Sequence, residues 1–140
     1  MKRKHFINAL VAAIAATVLV GCGFGDDSLD APGGVTAEAT SSTTIMLRWK
    51  KVDGAKGYRV YYNNTDADAH YNCTAGCNYS NRIQGTAFED THLSPGKTYY
   101  YKVTALKWKD GEYNTDGSYN SAKEEESSKS KYVSVTTPSE

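Results

Sequence analysis

The chain has 140 residues, 39% of them hydrophobic, and its 16 basic side chains balance 16 acidic ones, a length that holds one ordinary domain rather than two. The zero net charge averages two unlike pieces: residues 1–21 carry Lys2, Arg3 and Lys4 and no acid, which leaves 13 basic against 16 acidic residues from Cys22 onward. A mildly acidic body offers no phosphate-binding surface, so nucleic acid is not an expected partner.

The first element is an address. Lys2-Arg3-Lys4 precedes an apolar stretch over residues 6–20, interrupted by Asn8 and Thr17. This is the layout of a secretory signal. A helix of that length spans about 22 Å, short of the ~30 Å hydrocarbon core, so a spanning anchor is the weaker reading. Leu19-Val20-Gly21-Cys22 resembles the bacterial lipobox. The resemblance implies cleavage after residue 21, diacylglyceryl transfer to the Cys22 sulfur, and a further acyl chain such as palmitate on the new amino group. Two or more chains hold a protein on a membrane stably where one does not. Gly23 stands where an Asp would favour retention in the inner membrane, so the expected location is the outer membrane of the cell envelope. Asp26-Asp27 faintly resembles a surface-export signal, and the face is left open. Residues 22–31 then read as a flexible tether, about 16 Å in root-mean-square span.

From residue 32 the pattern becomes alternation with period two, which marks half-buried strands. Val35 and Ala37 open the set. Ile45, Leu47 and Trp49 follow, then Tyr58, Val60 and Tyr62. A short run at Arg82-Ile83-Gln84 precedes Ala87-Phe88-Glu89. Tyr99, Tyr101, Val103 and Ala105 come next, and Tyr132-Val133-Ser134-Val135 closes the series. Turn signals separate them: Asp53-Gly54, Lys56-Gly57, Ser94-Pro95-Gly96 and Asp110-Gly111. Short strands with turns between them predict a seven-stranded antiparallel β-sandwich over residues 32–138. Trp49, Tyr58, Phe88, Leu93, Tyr99 and Val103 fall on the inward parity, and large aromatics compensate there for scarce aliphatics.

Ile45-x-Leu47-x-Trp49, Gly57-Tyr58-x-Val60-x-Tyr62 and Leu93-x-Pro95-Gly96-x-x-Tyr99-x-Tyr101-x-Val103-x-Ala105 together resemble the fibronectin type III domain, an immunoglobulin-like fold. The resemblance implies Trp49 as the core tryptophan. It also implies that Leu93 and Tyr99 pin the crossover between sheets, as in a tyrosine corner. For such domains it implies protein or carbohydrate contact.

Two segments are longer than a minimal sandwich needs. Residues 63–81 contain Cys73 and Cys77. An exported compartment favours a disulfide between them, and a loop this short gains about 2 kcal/mol from it. His70 with the two cysteines supplies three soft ligands, but a structural zinc lacks a nearby fourth. Three Asn-x-Ser/Thr triplets, at Asn63, Asn72 and Asn78, are the ordinary content of Asn-rich turns in a bacterial chain. Residues 108–131 are rich in Tyr, Ser, Gly and Asn, the composition of antibody-like contact loops and also of any solvated loop. Within them Glu112-x-Asn114-x-Asp116-Gly117 departs from a calcium loop, because its closing position holds Lys123. Glu124-Glu125-Glu126 reads as a solvated face. No metal or cofactor is expected.

No nucleophile elbow, phosphate loop, dinucleotide fingerprint or HExxH occurs, and a sandwich has no deep cleft. The expected role is therefore non-enzymatic: a lipid-anchored interaction module of the envelope. Tyr71, Tyr79, Tyr113 and Tyr119, all off the strands, are the expected contact aromatics. The competing role is a structural spacer or accessory subunit with no ligand of its own.

Overall fold

The computed structural model describes residues 28–77, 81–108, 116, 118, 120 and 124–140. Cys22, Tyr79, Tyr113 and Tyr119 lie outside the described residues.

Among the described residues, eight strands form two antiparallel sheets. They are β1 (Thr36–Ser41), β2 (Thr44–Arg48), β3 (Gly57–Asn63), β4 (Asn72–Ala75), β5 (Ala87–Asp90), β6 (Thr98–Trp108), β7 (Glu124–Glu126) and β8 (Val133–Thr136). The smaller sheet has the order β1-β2-β5; the larger runs β4-β3-β6, and both β7 and β8 pair with β6. The expected two-sheet sandwich is present, with one strand more than the seven expected. Residues 82–84 contribute only a bridge between Ile83 and Tyr58. The edge of β3 beyond that bridge is taken by β4, and β7 is added on the far side of β6.

Alternation explains the core. Ile45, Leu47, Val60, Tyr101, Val103 and Ala105 are fully buried. Trp49, Tyr58 and Tyr99 are at most 5% exposed, and Trp49 tilts against Tyr58 with ring centroids 5.4 Å apart. Leu93 and Phe88 are half-buried and pack against this cluster. The crossover is pinned as expected: the Ser94 N–H donates to the Tyr99 hydroxyl oxygen at 2.9 Å, while His92 holds a φ of 63°. Ordered packing reaches back to Leu29, which is partly buried against the core.

Residues 124–136 form one broken edge strand. Between β7 and β8 the backbone leaves the ladder, and two serines repair it. The Ser127 N–H donates to the Ala105 carbonyl and the Ser130 N–H to that of Val103, each at 2.9 Å. In return the Ala105 N–H donates to Ser127 Oγ and the Val103 N–H to Ser130 Oγ, also at 2.9 Å. Side-chain oxygens thus stand in for missing carbonyls, and no buried donor on β6 is orphaned there.

A buried polar contact crosses between the sheets. The Tyr101 hydroxyl donates to Asp90 Oδ2 at 2.8 Å, with both residues buried. Burial pushes the Asp90 carboxyl above its ordinary range, against the opposing pull of the Tyr101 and Thr91 hydrogen bonds.

Candidate functional site

Odd-numbered residues of β3 and even-numbered residues of β6 point away from the core. They form the outer face of the larger sheet, in the register Arg59 with Thr104 and Gly57 with Leu106. An outer face should be wet, yet Thr104 is 1% exposed and Leu106 fully buried. At this end the sheet carries a second layer, built from Trp108, Arg82, Glu124 and Glu126.

Gly57 begins it. A Cβ at this position would lie 3.1 Å from the Trp108 ring, so glycine lets the indole lie across the strand. The Arg82 guanidinium then stacks on the indole, 4.0 Å from its centroid. Arg82 also reaches Glu124 Oε2, from Nε at 2.8 Å and from Nη2 at 2.5 Å. The other oxygen of Glu124 accepts from Arg59 Nη2 at 2.5 Å, and Arg59 Nη1 donates to Glu126 Oε2 at 2.6 Å. Glu126 Oε1 accepts from the hydroxyls of Tyr61 at 2.5 Å and Thr104 at 2.7 Å. The side chains of Arg82, Glu124 and Arg59 are 7%, 10% and 13% exposed, so the two ion pairs of Glu124 are shielded rather than superficial, while Glu126 is 30% exposed.

The charges are coupled through these contacts. Burial alone would lower the Arg59 pKa, but Glu126 and then Glu124 outweigh it and hold that pKa above the ordinary value. Burial, followed by the hydrogen bond to Glu126 and its charge, raises the Tyr61 hydroxyl.

The disulfide loop joins the same network. Cys73 and Cys77 are bonded, as expected, with Cα atoms 5.8 Å apart. Between them Gly76 has a φ of +74°, and a Cβ there would sit 2.3 Å from the Tyr58 carbonyl oxygen. Only glycine allows that approach. The Gly76 carbonyl then accepts from Arg59 Nε at 2.8 Å.

The consequence is positional. Gly76 lies within the first long segment and Arg82 just after it, Trp108 opens the second and Glu124 lies within it, and the contacts among Arg82, Glu124, Arg59 and Gly76 bring the two segments together at these points. Sequence reasoning singled out both segments but missed the clamp. Its one local signal was the odd placement of arginines on β3 and beside Ile83.

Tyr71, expected as an exposed contact residue, is a correction. It lies off the strands but is only 8% exposed. Its hydroxyl donates to the Ala67 carbonyl at 3.1 Å, and Lys102 Nζ sits 4.3 Å from the ring centroid. It closes the preceding turn. Asp116 spends Oδ1 on the Ser118 N–H and hydroxyl, at 2.8 and 2.6 Å. Among the described residues no three metal-ligating side chains gather.

Two antiparallel sheets, a buried tryptophan and a pinned crossover define an immunoglobulin-like sandwich. The sequence profile of the fibronectin type III domain matches residues 30–116, and the chain belongs to that family, whose members are generally non-catalytic accessory modules. It is 34% identical over 76 residues to a poly(3-hydroxybutyrate) depolymerase of Ralstonia pickettii, a match covering 54% of this chain and 13% of that enzyme. An amylopullulanase of Thermoanaerobacterium saccharolyticum is 28% identical over 75 residues, covering 54% of this chain and 5% of the enzyme. The likeness thus spans a small part of either relative. Among solved structures, a Fn3-like protein from Clostridium thermocellum superposes with a TM-score of 0.58 at 24% identity, covering 79% of this chain and 95% of that one. The fn3 domain of human contactin 1 gives 0.55 at 18% identity, covering 79% of each. At those identities the likeness is one of fold.

Proposed function

We propose that this protein is a lipid-anchored interaction module of the bacterial cell envelope, contacting a protein or carbohydrate partner through its two long segments. The observation that carries the reading is the clamp. Arg82, just after the first segment, and Glu124, within the second, are 2.5 Å apart, which brings the two segments side by side, as a composite contact surface requires. A spacer gains nothing from shielded ion pairs between long segments, where a short turn would serve. The anchor is Cys22, the expected location the outer membrane. The enzyme relatives support the accessory character, because the matched stretch is a small part of each. The contact aromatics of this reading are Tyr79, Tyr113 and Tyr119, since exposed aromatic rings stack on sugars or anchor proteins.

Alanine at these three positions tests it, with binding measured against envelope protein extracts and arrayed glycans. The expected result is loss of the bound partner, about 30-fold or more if one of the three is a dominant anchor. Unchanged capture on both supports removes these tyrosines from the contact. The competing reading is a spacer or accessory subunit, and the clamp is the observation against it.

A further inference from the structure

Beyond the clamp, the outer face of the larger sheet carries a group of tyrosines and lysines. Register places Tyr61 opposite Lys102 and Tyr100 opposite Ser134. Tyr132, just before β8, is 49% exposed and stands edge-on to Tyr100 with ring centroids 6.0 Å apart. Lys129 Nζ lies 4.4 Å from the Tyr61 centroid, and Lys102 Nζ covers Tyr71. Among the described residues, Lys102, Lys129 and the exposed Lys131 have no carboxylate in ion-pair reach. The acids of this face are Glu124 and Glu126, held by arginines, and Asp66 and Asp68, on the turn that Tyr71 closes beneath Lys102. The opposite side of the sandwich differs: there Glu38 and Glu89 flank Met46. Arg48 follows Met46 on that face, so the two sides differ in tyrosines and in lysines without a carboxylate partner rather than in net charge.

The chain enters at the edge between the sheets, where the Lys50 N–H donates to the Gly33 carbonyl and joins the entry stretch to the smaller sheet. Residues 31–35 run beside residues 130–133, and the two stretches line a groove of about 450 Å³ that includes Tyr132. A lipid on Cys22 would be joined to Leu29, which packs against the core, by six intervening residues, at most about 25 Å of chain.

We propose that the anchored domain lies on its own bilayer through this face, with Lys102, Lys129 and Lys131 against anionic lipid headgroups and Tyr100 and Tyr132 at the water–lipid boundary. The inference rests on the lipid anchor at Cys22 proposed above. Each lysine near an anionic surface is worth about fivefold in binding, and tyrosine favours that boundary. The attraction fades within about 8–10 Å at physiological salt, a distance the short tether keeps within reach.

The test uses the mature protein purified from membranes and reconstituted into vesicles of phosphatidylcholine, alone or mixed with phosphatidylglycerol. Its intact mass is read first, and an unmodified Cys22 overturns both the anchor and the orientation built on it. With the lipid present, hydroxyl-radical footprinting reads Tyr132, with Met46 as the opposite-face control. The expected result is at least fivefold protection of Tyr132 in the anionic vesicles only, with Met46 unchanged. The triple variant K102Q/K129Q/K131Q should abolish the protection. Equal oxidation of Tyr132 in both vesicles overturns the orientation while leaving the anchor intact. Equal protection by dextran sulfate without anionic lipid also overturns it, and assigns the face to acidic glycans.

Discussion

Glu124→Ala should destabilise the domain by about 3 kcal/mol, the low end for breaking a buried ion pair. One carboxylate serves two guanidiniums, Arg59 at 2.5 Å from Oε1 and Arg82 at 2.5 Å from Oε2. Removing it leaves both arginines shielded with less than their charge requires, and the loss is therefore larger than for a surface pair, which is worth about 0–1 kcal/mol. At roughly 4–8 °C per kcal/mol for a domain of this size, the melting midpoint should fall by about 12–24 °C. Glu124→Gln keeps the shape and some hydrogen bonds and should lose less. In a double-mutant cycle, adding Arg82→Ala should recover part of the loss, because the stranded charge goes with it. A melting curve for Glu124→Ala within a degree of wild type would mean that solvent, not Glu124, satisfies these arginines.

Tyr101→Phe should cost about 1.5–3 kcal/mol at neutral pH, the range for a hydrogen bond to a charged group. The hydroxyl is the cross-sheet donor to Asp90, 2.8 Å away, and Tyr101 has no exposed surface. Asp90 already sits above its ordinary pKa through burial, so its carboxylate opposes folding. That penalty is fully present above the folded-state pKa. It disappears as pH falls through that value towards the unfolded-state pKa near about 3.9. Without Tyr101 the pKa rises further, so the cost of Tyr101→Phe should be largest at pH 7 and smaller near about pH 4. Asp90→Asn removes the titration: its stability relative to wild type should be highest above the folded-state pKa and decline on acidification. Denaturant unfolding of the single and double variants at both pH values checks this. A Tyr101→Phe cost that does not change with pH would show that Asp90 is already neutral at pH 7.

The parts of the fold legible in the sequence are those that obey period two. Trp49, Tyr58 and Tyr99 lie on the inward parity of their strands or just past the end, and all three are buried. β4 was illegible because Asn72-Cys73-Thr74-Ala75 carries no apolar alternation; its place comes from pairing with Tyr62, Tyr61 and Val60 of β3. The run at residues 82–84 looked like a strand, but Ile83 finds only Tyr58 as a backbone partner. The candidate site was half legible. Its long segments and its disulfide follow from spacing and composition. Glu124-Glu125-Glu126 instead read as solvated, because the arginine that neutralises Glu124 and Glu126 lies 65 and 67 residues away in sequence. Local patterning cannot reveal partners that only strand pairing brings together. Tyr71 failed for a related reason, as burial off the strands depends on a lysine from β6.

Replacing residues 109–121 by a short Gly/Ser turn, with Trp108, Arg82 and Glu124 left in place, tests the contact-module reading most directly. The readout is cellular function in the native envelope, with a melting curve to show that the sandwich persists. A module that works through its loops should lose function while keeping its melting midpoint. Unimpaired function with the segment gone would contradict the reading and make the protein a spacer.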